Sequence, residues 1–184
     1  PAIYAAVRGE DYPACIDCVV SDRPDISGLE RAKEAGIETM CVDRAEYDNG
    51  RGTGLSDALL EIVENRADLI VLAGFLSILR GRILEVFAGR IINTHPALLP
   101  KHGGKGMYGM RVHRAVIESG DWVSGCTVHY VTAGIDRGPI ILQRQFDVEP
   151  GDTEDTLRRK VHEIEGPTLA EAVRMAIARL ERKE

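Results

Sequence analysis

The chain has 184 residues, 44% of them hydrophobic, which suffices for one buried core and is short for two, since most domains hold about 100 to 200 residues. Its formal net charge of -6 and pI near 5.4 provide no general basic field, so neither nucleic acid nor an anionic membrane surface is an expected partner. Apolar stretches such as DLIVLAG (68–74) fall far short of the roughly 20 residues of a membrane span, and no charged-then-apolar leader opens the chain, so a cytoplasmic protein with a single domain over 1–184 is expected.

In chain order, Ile16 to Ser21 reads as a strand, SGLERAKEAG (27–36) as a helix that Gly36 ends, and Ile37 to Val42 as a second strand. A long polar loop over 45–54 follows. The spacing of Leu55, Ala58, Leu59 and Ile62 predicts a helix over 55–66, and 67–73 is the near-continuous apolar run of a parallel strand buried on both faces. Ile83 to Phe87 reads as a short helix and Arg90 to His95 as a strand. This alternation predicts a Rossmann-like α/β fold, a mostly parallel sheet with helices on both faces. The runs 124–132 and 138–148 flank the turn AGIDR (133–137) and predict an antiparallel C-terminal hairpin. Two helices are expected to close the chain, Thr153 to Glu165 and Thr168 to Arg182, the first capped by Asp152.

Cys15 and Cys18 form a C-x-x-C pair that opens a strand rather than a helix, so all four cysteines, with Cys41 and Cys126, read as small buried hydrophobes in a reducing compartment. His102, His113, His129 and His162 show no H-x-x-x-H spacing, and no metal site is expected. The run IINTHPALLP (91–100) carries more information. Asn93 and His95 lie at i and i+2 of a strand, so their side chains share one side of the sheet. Pro96 ends that strand, at the end of an open α/β sheet where ligands gather. An amide donor stabilises an oxyanion and an imidazole moves protons near neutral pH, which suits acyl chemistry. The other reading open to the same residues is a strand-end cap and a satisfied core histidine. With no G-x-S-x-G elbow and no cysteine beside the histidine, direct transfer between two bound substrates fits better than a covalent intermediate. KHGGKGMYG (101–109) lacks Walker spacing and reads as a mobile lid. Asp136 reads as a turn former, since spacing alone does not bring it to His95.

Five segments, VVSDRPDISGLERAKEAGI, LIVLAGFLSIL, INTHPALLPKHGGKGMYG, GCTVHYVTAGIDRGPIILQ and GDTEDTL, together resemble the phosphoribosylglycinamide formyltransferases within the formyl-folate transferase family, over residues 1 to about 165. The resemblance implies formyl transfer from 10-formyltetrahydrofolate, a co-substrate, to the amine of glycinamide ribonucleotide in purine biosynthesis, in a monomer or homodimer. It makes Asn93, His95 and Asp136 the catalytic trio; in that trio Asn93 and a protonated His95 are expected to donate to the charged formyl oxygen of the tetrahedral intermediate, and Asp136 to raise the His95 pKa and help move the amine proton. It sets the pterin against the backbone of Leu76, Ser77, Ile78 and Leu79 and the segment leading into Asp136, with Thr132 and His129 as nearby supporting polar groups. The ribonucleotide would lie along Thr94 to Pro96 and reach Glu165 with its ribose. Formyltetrahydrofolate deformylase, which uses water, is the alternative. PAIYAAVRGEDY (1–12) matches the family only after its first strand and phosphate loop, so the domain is expected to be shortened at its N-terminus. Between Glu165 and Pro167 the family carries several more residues than this chain does.

Overall fold

A computed structural model of the protein describes residues 14–47 and 52–182; the segment 1–12 lies outside them. β1 (Cys18–Ser21) and β2 (Glu38–Cys41) pair in parallel. Between them α1 (Ser27–Glu34) buries Leu29 and Ala32. The helix stops at Gly36, whose φ of 75° is a left-handed conformation open to a residue without Cβ, and whose N–H closes on the Lys33 carbonyl. The polar loop expected over 45–54 is shorter than its sequence implied. Arg44–Glu46 forms a 3-10 turn, with Asp43 accepting from the Ala45 N–H at 2.9 Å, and α2 (Gly54–Val63) begins at the loop's last residue.

β3 (Ile70–Leu72) and, after the short helix α3 (Arg82–Val86), β4 (Ile91–His95) form a second parallel pair. β5 (Val123–Tyr130) pairs antiparallel with β4, and β6 (Ile140–Asp147) antiparallel with β5, giving the order β3-β4-β5-β6 and the expected hairpin. Among the described residues no ladder joins this sheet to β1-β2. That agrees with Ile70, Val71 and Leu72 being half-buried where burial on both faces was expected: among the described residues β3 is the edge of its sheet.

Two cores flank β4. Ile91 packs with Leu55, Leu59, Ile83 and Phe87 of α2 and the α3 segment, whereas Ile92 packs with Val128 and Tyr130 of β5 and with Leu169, Ala172 and Val173 from the C-terminal helix. Helices thus cover both faces, as the alternation of elements predicts. α4 (Met110–Glu118), which sequence reading passed over beside the expected lid, buries Val112, His113 and Val116.

The two expected C-terminal helices are one, α5 (Glu154–Glu181), with Pro167 inside it. An interior proline costs a helix about 3 kcal/mol, but Leu157 and Val161 before it and Leu169 and Val173 after it are each at most 4% exposed. Each such side chain contributes about 1.5 to 3 kcal/mol on burial, so together they outweigh the break. The cap is Thr153, not Asp152: Thr153 and Thr156 satisfy each other's backbone N–H groups, while Asp152 accepts from the Thr156 hydroxyl at 2.8 Å and pairs with Lys160 at 2.8 Å. The cysteines also depart from expectation. Cys126 is buried, but Cys15 and Cys41 are exposed and Cys18 is intermediate, and all are free thiols.

Candidate active site

The register of β4 against β5 builds the site. Asn93 faces His129 and His95 faces Thr127, and because side chains alternate along a strand these four continue the Ile91 face beyond the α2–α3 layer. Asn93 Nδ2 lies 3.2 Å from His129 Nε2, and His129 Nδ1 lies 2.9 Å from the Tyr130 carbonyl. Thr127, fully buried, fixes the chain as it leaves β4. Its hydroxyl donates to the Ala97 carbonyl at 2.6 Å and accepts from the Leu99 N–H and from Gln143, which also bonds the Leu99 carbonyl. Sequence reading missed Thr127 and Gln143, because only strand pairing shows that Thr127 stands across from His95 and Gln143 across from Thr127.

Asp136 reaches the same place from the β5–β6 turn. Its Oδ2 lies 3.6 Å from His95 Nδ1 and its Oδ1 lies 3.6 Å from His129 Nε2, with its side chain 11% exposed. The turn is tight: Asp136 itself takes φ 54°, and a Cβ on Gly138 would run into the Tyr130 carbonyl. A non-glycine residue in that region is strained, and such strain collects at functional positions. The expected lid is docked on this centre. The Gly104 N–H donates to Asp136 Oδ2 at 2.8 Å, and the His102 carbonyl lies 2.8 Å from His95 Nε2.

Burial pushes the His95 ring below its ordinary pKa; Asp136 and the His102 carbonyl pull upward without reversing the shift. Asp136 thus raises the His95 pKa as expected, but burial outweighs it and the net direction is downward, which favours the neutral ring over the protonated donor that was expected. The ring is 4% exposed, and taking it out of water penalises the imidazolium more than one carboxylate at 3.6 Å restores.

The remaining expected residues fall in two places. Leu76 and Ile78 stand exposed beyond the carboxyl end of β3, Leu79 is buried, and the Ser77 hydroxyl donates to Asp22 at 2.5 Å, tying the segment to the end of β1. Leu79 is buried in the same core cluster against which Val131, ahead of Asp136, packs. Thr132 is exposed, its hydroxyl 3.4 Å from the Gly134 carbonyl. Pro96 is half-buried at the end of β4. Thr94 and Glu165 do meet, with the Thr94 hydroxyl donating to Glu165 Oε1 at 3.0 Å, but on the face of β4 that packs against α5, opposite Asn93 and His95. Among the described residues no group of three or more His, Cys, Asp or Glu side chains is placed to hold a metal ion.

An open α/β sheet with an amide, an imidazole and a carboxylate converging near the end of a parallel strand is an arrangement suited to transfer of a small acyl group. The match of residues 1–173 to the formyl transferase family model makes the class definite: the chain belongs to the formyl transferase family. It is 38% identical over 160 residues to the phosphoribosylglycinamide formyltransferase of Escherichia coli, an alignment covering 87% of this chain and 73% of that protein. It is 35% identical over 159 residues to the trifunctional purine biosynthetic protein adenosine-3 of Drosophila melanogaster, where it covers 86% of this chain and spans only 11% of the larger protein. The crystal structure of glycinamide ribonucleotide transformylase 1 from Symbiobacterium toebii superposes with a TM-score of 0.88 at 41% identity, covering 97% of this chain and 82% of that one.

Proposed function

We propose that this chain transfers the formyl group of 10-formyltetrahydrofolate to the primary amine of glycinamide ribonucleotide, a step of purine biosynthesis, with Asn93, His95 and Asp136 as its catalytic residues. The observation that carries the reading is the convergence of these three side chains from two separate segments, with Asp136 Oδ2 lying 3.6 Å from His95 Nδ1. The neutral amine attacks the formyl carbon, forming the new C–N bond, and the formyl oxygen gains negative charge. The Asn93 amide donates to that oxygen, where a placed donor contributes on the order of 10²-fold in rate. His95, neutral at rest, takes the proton the amine sheds, and Asp136 stabilises the resulting imidazolium. Collapse of the intermediate breaks the bond to the folate nitrogen, which receives the proton directly or through water.

In this reading the pterin lies against the backbone of Leu76 to Leu79 and the segment through Thr132, and the exposed side chains of Leu76 and Ile78 offer a flat ring a surface to displace water from. The ribonucleotide runs along Thr94 to Pro96, with its ribose toward Glu165. The test follows loss of 10-formyl folate by the purified chain with and without glycinamide ribonucleotide. Loss that depends on the ribonucleotide supports the proposal. Equal loss in its absence means that water is the acceptor and the protein a deformylase.

A further inference from the structure

We infer that His102 and Asp121 are positioning residues that fix which nitrogen of the His95 ring carries a proton, leaving Nδ1 as the nitrogen that meets the substrate. The inference rests on the reading of His95 as the catalytic base. A backbone carbonyl only accepts, so the 2.8 Å contact between the His102 carbonyl and His95 Nε2 requires the proton on Nε2. In the neutral ring Nδ1 then carries a lone pair, and Nδ1 is the nitrogen 3.6 Å from Asp136 Oδ2. One imidazole has two separate duties. Nε2 anchors the ring to the 101–109 loop, while Nδ1 accepts the amine proton and becomes a cation beside a carboxylate. Without the anchor, the two neutral tautomers would compete and part of the population would present a donor where the reaction needs an acceptor.

The direction of the His102 carbonyl depends on the His102 side chain. His102 holds φ 53°, a left-handed conformation disfavoured for a residue with a Cβ. A glycine would adopt it without strain, so the histidine needs a compensating contact, and Asp121 supplies one. His102 Nε2 lies 2.6 Å from Asp121 Oδ2, and the Lys101 ammonium pairs with Asp121 Oδ1. His102 and Lys101 together hold the Asp121 carboxyl down to about 2, so it is an anion throughout the working range. Asp121 in turn follows the end of α4, a helix seated in the core by the fully buried Val112 and Val116. The line of contact therefore runs from a rigid helix through a charged hydrogen bond and a strained backbone to the ring that moves the proton.

Long-range proton–nitrogen correlation spectra of the ¹⁵N-labelled chain report the protonation of each histidine nitrogen directly. In the wild-type chain at mildly alkaline pH, His95 should show a protonated Nε2 and a bare Nδ1. Asp121→Asn should move these resonances toward an average of two tautomers and lower kcat on the order of tenfold, with KM for both substrates unchanged. His102→Ala, which keeps the carbonyl but loses the anchor, should do the same and serves if Asp121→Asn fails to fold. A wild-type ring protonated at Nδ1 overturns the inference. So do unchanged ring resonances and kcat in a folded variant, or a loss confined to KM. Because the spectra need no substrate, a wild-type chain with the expected ring pattern but no formyl transfer would count against the proposed reaction and not against this positioning.

Discussion

The two faces of β4 are built from alternate residues of one five-residue strand, yet they do different work. Ile91, Asn93 and His95 share one face, Ile92 and Thr94 the other. The first face begins in the α2–α3 core and ends in polar side chains that are half-buried or buried but aimed at other titratable groups. The second is sealed under α5, where Ile92 is fully buried and even the Thr94 hydroxyl is taken by Glu165. If the proposed function holds, a period of two places the catalytic side chains on one face and mainly support on the other, so a residue's place in the strand bears on whether its loss costs rate or stability.

Substitutions on the two faces should therefore separate cleanly. The largest effects belong to the first face: His95→Ala and Asp136→Asn should lower kcat by roughly 10²- to 10⁴-fold, and Asn93→Ala by on the order of 10²-fold, with melting temperatures little changed. Near-normal turnover by His95→Ala would break the comparison at its centre. On the second face, Ile92→Ala should lower unfolding free energy by about 2 to 5 kcal/mol in a denaturant titration while the folded fraction keeps its kcat. A drop in kcat with stability intact would mean that the face is not merely support.

Smaller effects test the seams between the faces. Thr94→Val removes the hydrogen bond that holds Glu165 and should raise KM for the ribonucleotide about 5- to 10-fold, on the scale of about 1 kcal/mol for one hydrogen bond, leaving kcat unchanged. Steady-state kinetics with the ribonucleotide as varied substrate decide this. The His95 ring should titrate below its ordinary value of 6.5. Since the unfolded chain then binds that proton at a higher pH than the folded one, stability should fall as pH drops through 6.5 and level off below the folded pKa. A ring midpoint above 6.5 by proton NMR would contradict the dominance of burial. Far from the site, Asp152 is held down to about 2, chiefly by Lys160. Its ionised form contributes stability that is lost as pH falls from 3.8 through about 2. Asp152→Asn should cost on the order of 1 kcal/mol at neutral pH, measured by denaturant titration, and flatten that acid limb.

Much of this arrangement was legible in the chain before it folded. Gly36, the Leu55–Leu59–Ile62 spacing and the paired runs around AGIDR are local signals, and local signals act through backbone geometry and burial within a few residues. The pairing of Asn93 with His95 is local in the same way, since i and i+2 of any strand share a face. Pro167 misled because propensity is also local, while the burial of Leu157 and Val161 on one side and Leu169 and Val173 on the other is set by the sheet beneath α5. The α4 helix went unread because its burial stripe rests on only Val112, His113 and Val116 beside a glycine-rich loop.

By itself, then, the amino-acid sequence determined the alternating α/β order, the hairpin, the direction of Asn93 and His95 and, through its motifs, the formyl transferase family. Only the tertiary structure decided that Asp136 and the His102 carbonyl lie at opposite nitrogens of the His95 ring, that His129 stands across from Asn93, and that burial rather than Asp136 sets the direction of the His95 pKa. The reason is physical. Hydrogen bonds and desolvation act over a few ångströms of space, and Asp136 comes within that range of His95 only when β5 pairs with β4, setting His129 across from Asn93, and the turn after β5 brings the Asp136 carboxylate back to His129 and His95.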